Sequence, residues 1–182
     1  MTIRVYASLR VFALSMVLML SACASEALRL EPEILRVLPH DPSASTQGLL
    51  LDDGLLYEST GLYGQSRLRV VRPEDGVALQ EIRLSNREFG EGLALVGDRL
   101  IQLTWREGIA YLYDKQSLAR VGAFRYEGEG WGLCFAGEVL WMSDGSAALQ
   151  RRDPASFRLL GRVEVKLGGQ RQSRLNELAC VG

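Results

Sequence analysis

From Leu35 onward the apolar residues do not form the i, i+3, i+4 stripe of an amphipathic helix. They come instead in short runs rich in Leu, Val, Ile and aromatics, punctuated by turn signals. Asp52-Asp53-Gly54, Glu74-Asp75-Gly76, Val96-Gly97-Asp98 and Ser143-Asp144-Gly145 are such signals. This spacing predicts an all-β meander. A longer period lies over it. Gln47-Gly48-Leu49 aligns with Glu91-Gly92-Leu93, Trp131-Gly132-Leu133 and Asn176-Glu177-Leu178, in steps of 44, 40 and 45 residues. After each of the first three matches come a second strand (Leu55-Leu56-Tyr57, Leu100 to Leu103, Val139 to Met142), a third (Leu68 to Val71, Ala110 to Tyr113, Ala148 to Arg151) and a fourth (Ala78 to Ile82, Arg120 to Phe124, Leu159 to Val163). Four strands in each period of roughly 40 to 45 residues predict the blades of a β-propeller. Three complete units start near Thr46, and Cys180-Val181-Gly182 falls inside the inner strand of a fourth. The pattern therefore predicts a propeller that is C-terminally incomplete.

The repeat also carries a functional expectation. The innermost strand of each blade lines the propeller axis, so aligned positions lie at one height around it. Gln47, Glu91, Trp131 and Asn176 hold the aligned position. The frame around them repeats while this residue changes each time. Two amides, one carboxylate and one indole converging on one spot predict a polar-bottomed, aromatic-walled pocket for a small polar ligand.

The first residues read as an address. Arg4 and Arg10 precede an apolar run from Val11 to Leu20, which is shorter than the ~20 residues a membrane-spanning helix needs. Leu20-Ser21-Ala22-Cys23 resembles the bacterial lipobox, which implies cleavage after Ala22 and lipid on Cys23. The expected organisation is a lipoprotein-type signal peptide over 1–22, a tether over 23–34 and a partial propeller over 35–182. The protein is expected to be exported, to be held in the periplasm by its lipid anchor and to act as a monomer. Loss of the signal removes two arginines and leaves 19 basic against 22 acidic residues. An acidic domain is not drawn to anionic lipid, so the acyl chains must anchor it.

Composition narrows the chemistry. Among 182 residues, 21 Lys and Arg oppose 22 Asp and Glu, which leaves no excess charge for nucleic acid. His40 is the single histidine, which excludes multi-His zinc sites. Three cysteines are too few for a disulfide scaffold or a four-Cys zinc site. No metal and no cofactor is expected, and catalysis must rest on carboxylates, amides and aromatics.

Seven ordered motifs sharpen the reading. They are His40-Asp41-Pro42 with Thr46 to Leu49, Tyr57 to Gly64, Phe89 to Leu93, Leu103-Thr104-Trp105, Gly128 to Leu133, Ser143 to Ser146 and Leu175 to Leu178. Together they resemble the plant and bacterial glutaminyl-peptide cyclotransferases, from about Leu35 to the end. The resemblance implies a five-bladed propeller and cyclisation of N-terminal glutamine to pyroglutamate with release of ammonia. It implies Glu91 as the catalytic carboxylate. Gln47 and Asn176 would hold substrate, Trp131 and Trp105 would form walls, and Phe89 would pack near Glu91. Peptides or proteins that begin with Gln are the implied partners. The sequence departs from the family pattern at Ser45, where a Phe is usual, and at Ala179, where a Glu is usual. The resemblance places a further pocket Trp and a Lys beyond Gly182. A non-catalytic propeller serving as a binding or scaffold module is the alternative.

Other residues are read more plainly. Glu58 is expected to be a structural acceptor at a turn or strand end, and His40 a cap or surface residue. Glu129 lies two residues off the aligned position, so a carboxylate pair with Glu91 is set aside. Gly128 to Gly132 lacks the helix a nucleotide loop needs, and Ser143 to Ser146 is read as a tight turn rather than a calcium loop. Cys134 and Cys180 sit at offsets of three and four from aligned positions. That opposite parity predicts two buried free thiols rather than a disulfide.

Overall fold

A computed structural model describes residues 31–181. The signal segment and Cys23 lie outside the described residues. Among those residues there is no helix. Three four-stranded antiparallel meanders follow one another: β1 (Thr46–Asp52), β2 (Leu55–Thr60), β3 (Arg67–Arg72) and β4 (Val77–Arg83); β5 (Gly90–Val96), β6 (Arg99–Thr104), β7 (Ile109–Asp114) and β8 (Arg120–Arg125); β9 (Leu133–Ala136), β10 (Val139–Met142), β11 (Ala148–Arg152) and β12 (Leu159–Glu164). These twelve strands fall on the runs picked out by the pattern. A short hairpin of β13 (Lys166–Leu167) and β14 (Gln170–Arg171), turned by Gly168-Gly169, was not anticipated. The β1–β2 turn is Asp53-Gly54, both at positive φ (49° and 77°), as a two-residue hairpin loop requires.

Side-chain period explains how the sheets stack. In the middle sheet Leu93, Leu100, Tyr111 and Tyr113 join Tyr57, Leu68 and Val70 of the first sheet. Their neighbours Ala94, Ile101, Leu103 and Ala110 join Leu133, Leu140 and Met142 of the third. Successive side chains on a strand point to opposite faces, and here both faces are covered. That is why β5 to β7 read as continuous apolar runs and not as an alternation. The outer strands β4, β8 and β12 are mostly exposed.

Two turns act as plugs. Leu118 and Phe157 have positive φ (53° and 60°), and both are fully buried in the cores between sheets. Each donates its backbone N–H four residues back, to Asp114 and Asp153, whose side chains cap Ser117 and Ser156. Gly76 makes the same backbone bond, to Arg72, in the first sheet.

The inner strands β1, β5 and β9 touch directly, and glycine permits it. A Cβ on Gly48 would lie 2.7 Å from the Leu93 nitrogen, one on Gly92 2.5 Å from the Leu133 nitrogen, and one on Gly132 2.3 Å from the Asn176 oxygen. The Gly92 N–H donates to the Trp131 carbonyl at 2.7 Å. Each contact sits one residue past an aligned position, so the register deduced from the repeat is the register of packing.

The fourth unit differs from expectation, since 172–181 form no strand. Among the described residues no second strand ladders with this segment, which is held by Gly132, Ser143 and a covalent bond. Cys134 and Cys180 form a disulfide, with Cα atoms 5.6 Å apart, and are not free thiols. The parity rule fails because it applies between laddered strands, and Cys180 lies on irregular chain free to turn its side chain toward β9.

A buried polar network ties residues 40–46 to the first sheet. Glu58, 1% exposed, accepts from Thr46 Oγ1 (2.6 Å), Arg69 Nε (3.1 Å) and His40 Nε2 (2.8 Å). Arg69 Nη1 also reaches Asp41 at 2.7 Å, and the Ser43 hydroxyl, then Arg69, hold the Asp41 carboxyl far below the usual range. Glu58 is thus structural, and His40 serves it.

Gly92→Ala tests the stacking. Its Cβ would meet only backbone atoms, which cannot swing aside. The variant is expected to lose about 2–3 kcal/mol, and thermal unfolding followed by circular dichroism should register a Tm drop of at least ~5 °C.

Candidate active site

The site forms where the inner strands begin. Gln47, Glu91 and Trp131 each precede one of the stacked glycines, and Asn176 precedes Glu177, which stacks on Gly132. The four positions therefore lie in register along neighbouring strand starts. Ser143 Oγ fixes the last of them, accepting from the Gly132 N–H at 2.7 Å and donating to the Asn176 carbonyl at 2.6 Å.

Aromatic residues wall this region. The Phe89 ring lies edge-on to Trp105 and to Tyr63, each at 5.5 Å between centroids. Gly61 is the spacer, since a Cβ there would strike Phe89 at 2.2 Å and meet Gln47 Cγ at 3.0 Å. Gln47 and Phe89 are thus neighbours across one glycine. Gly145 plays the same part beneath the Trp131 ring, 2.8 Å from where its Cβ would stand. Gln47 Nε2 reaches Ser45 Oγ only at 3.4 Å, which leaves its amide free to bind a ligand. Ser45, Thr60 and Gly61 border a small polar cavity of about 20 Å³, room for about one water.

Glu91 is 7% exposed, and among the described residues no group donates a hydrogen bond to its carboxyl. Burial, then the charges of Glu129 and Glu107, push it up to about 8. Glu177 is also pushed upward, by burial and by the Glu91 charge, against the pull of the Leu178, Leu93 and Leu133 amides. Glu177 is exposed as a residue, whereas Glu91 is buried. The Glu91 charge thus favours the protonated form of Glu177. A carboxyl of this kind can take a proton and return it near neutral pH.

Three features escaped the sequence. Glu129 accepts hydrogen bonds from both Trp105 and Trp131. Tyr63 joins the aromatic row from the loop after β2, and its hydroxyl donates to Glu107 at 3.2 Å. Glu177 brings a second carboxyl to Glu91. The spacing of Trp131 and Glu129, two apart in a Gly-rich turn, was the one available signal. Among the described residues no group of His, Cys, Asp and Glu is arranged to hold a metal ion.

The raised Glu91 value makes a stability prediction. Above its ordinary value of 4.5 the unfolded chain loses this proton, whereas the folded chain keeps it until about 8. The folded state then binds more protons, so Glu91 lowers stability as pH rises through that window. Glu91→Gln removes the titration. Its Tm should match the wild type near pH 4 and exceed it at pH 8, in thermal melts across pH; an offset constant with pH would contradict the burial.

The chain is similar in sequence and fold to known proteins. The sequence model of the family described as glutamine cyclotransferase matches residues 8–182. The glutaminyl-peptide cyclotransferase of Arabidopsis thaliana is 40% identical over 153 residues, which cover 83% of this chain and 48% of that protein. The crystal structure of Myxococcus xanthus glutaminyl cyclase superposes with a TM-score of 0.76 at 42% identity, covering 82% of this chain and 63% of that one. The WD40 repeats of RRP9 align with a TM-score of 0.55 at 16% identity, over 78% of this chain and 43% of that one, a likeness of fold alone. The chain spans about half the length of the curated relative it matches. With three stacked four-stranded sheets and a family match over nearly its whole length, the chain belongs to the glutamine cyclotransferase family.

Proposed function

We propose that the protein is a glutaminyl-peptide cyclotransferase, which closes the N-terminal glutamine of peptides or proteins into pyroglutamate and releases ammonia. The observation that carries this is Glu91: a buried carboxyl, pushed up to about 8, in register with Gln47, Trp131 and Asn176 beside a row of aromatic rings. Family membership supports it.

The reaction asks for these groups. The substrate α-amine must be neutral to attack its own side-chain amide carbon, and its ordinary pKa of about 7.7–8.0 lies close to that of Glu91. Glu91 as carboxylate takes the proton that the amine sheds on attack. It then gives that proton to the amide nitrogen, which departs as ammonia while the carbon–oxygen double bond re-forms. One group serves as base and then as acid, and no net proton is lost. Gln47 and Asn176 offer amides that both donate and accept, which suits an amine beside a carbonyl. Burial raises the Glu91 pKa, and walls of Phe89, Trp105 and Trp131 would help to keep water from it.

The protein would act outside the inner membrane, as a lipoprotein held by Cys23. The Cys134–Cys180 disulfide favours this, since such bonds persist in oxidising compartments. The absence of regular structure over 31–40, with Ile34, Leu35 and Val37 exposed, suits a tether ahead of the first sheet.

Two measurements test the proposal. Incubated with a Gln-initiated peptide, the purified protein should release ammonia and leave a blocked N-terminus. Glu91→Gln should cut turnover by about 10²–10⁴-fold. A properly folded protein without turnover would favour the binding-module alternative. Separately, Cys23→Ser should remove the fatty-acyl mass from the N-terminal peptide and move the protein from membrane to soluble fractions.

A further inference from the structure

Glu129 stands outside the repeat that aligns Glu91 with its counterparts, yet it is the most connected side chain of the site. Its Oε2 accepts the Trp105 indole N–H at 2.8 Å and the Trp131 indole N–H at 2.9 Å. Its Oε1 accepts from Arg106 Nε at 3.1 Å. The Arg106 guanidinium lies 3.7 Å from the centre of the Trp105 ring, so that ring is held at its nitrogen and covered on one face. The Glu129–Arg106 pair itself is half open to water and contributes little alone. The two indole bonds are different in kind. A charged acceptor makes stronger hydrogen bonds than a neutral one, and here it joins rings from two successive sheets.

The backbone is built to place this carboxylate. Gly128 has a φ of +84°, and Gly130 lies where a Cβ would meet the Tyr126 hydroxyl at 2.3 Å. The Gly130 N–H donates to the Trp105 carbonyl at 2.8 Å, and the Trp105 N–H to the Phe89 carbonyl at 2.9 Å. Trp105 is therefore tied to the Gly128 to Gly132 turn twice, once through backbone and once through Glu129.

We propose that Glu129 is a positioning residue for the cyclisation, clamping the two tryptophan walls of the substrate pocket on one carboxylate oxygen. The proposal rests on the cyclotransferase reading for its substrate, while the clamp itself rests on geometry alone. An indole unpinned at its nitrogen can turn about its χ2, and a wall that turns no longer holds the substrate amide in line with the α-amine. The carboxylate has a second effect through space. The Trp131, Trp105 and Arg106 hydrogen bonds hold Glu129 below the usual carboxylate range, so it stays charged near Glu91. That like charge favours the protonated form of Glu91.

The test compares Glu129→Ala with Glu129→Gln, both in a Trp141→Phe background so that only Trp105 and Trp131 report. The alanine variant should lose the near-ultraviolet circular dichroism bands of the indoles and about 100-fold in kcat/KM, mostly through KM. A glutamine oxygen has two lone pairs and can still take both indoles. The glutamine variant should therefore keep the bands and recover much of the KM, while the acid limb of its kcat/KM profile moves to lower pH because Glu91 has lost a like charge. Unchanged indole bands in the alanine variant would overturn the clamp. Equal losses in both variants with an unmoved acid limb would also overturn it, in favour of a structural role only. If the unmutated protein shows no turnover, the cyclotransferase reading fails, and the indole bands still decide the clamp.

Discussion

The close approach of successive inner-strand backbones sets the geometry on which the site depends. At Gly48, Gly92 and Gly132 a neighbouring main chain occupies the space a side chain would need. Backbone contact leaves no slack, so each strand start is pinned to the next. Gln47, Glu91 and Trp131 hang one residue before these contacts and inherit their register. A pocket assembled from separate sheets needs such a constraint, because side chains on loosely packed strands could not be held to within about half an ångström.

Much of this arrangement is legible in the amino-acid order because two periods report different things. The short period marks the strands, and the long period marks the sheets. The glycine after Gln47, Glu91 and Trp131 reflects a steric demand that no other residue meets. What the order hides is whatever depends on side chains reaching across the period. Glu129 is two residues out of register, but an indole is long enough to bring its nitrogen back to that carboxylate. Tyr63 belongs to the loop after β2 and enters the aromatic row through its edge-on contact with Phe89. Leu118 and Phe157 look like surface-turn residues, yet their left-handed backbones drive them into the cores between sheets.

The disulfide teaches the same lesson from the other side. Parity along strands is a sound rule where strands are laddered, and it assigns Cys134 and Cys180 to opposite faces. The segment that bears Cys180 is not laddered, so the rule has nothing to act on. The bond and the Ser143 bridge fasten Asn176 to the third sheet, where the other sheets rely on hydrogen-bonded strands. The carboxyl groups show a related division of labour. Glu58 is satisfied by three donors and serves the fold, Glu129 is satisfied by two indoles and an arginine and serves the walls, and Glu91 is left without a donor among the described residues. A carboxyl in so dry a place costs stability when charged, and the proposed proton transfer would give a reason to keep it there.

A crystal structure of the protein with a Gln-initiated peptide bound addresses the convergence directly. The glutamine should lie between Trp105 and Trp131, with its α-amine toward Glu91 and its side-chain amide within hydrogen-bonding distance of Gln47 or Asn176. A peptide seated elsewhere, with those five residues apart from it, would contradict the account.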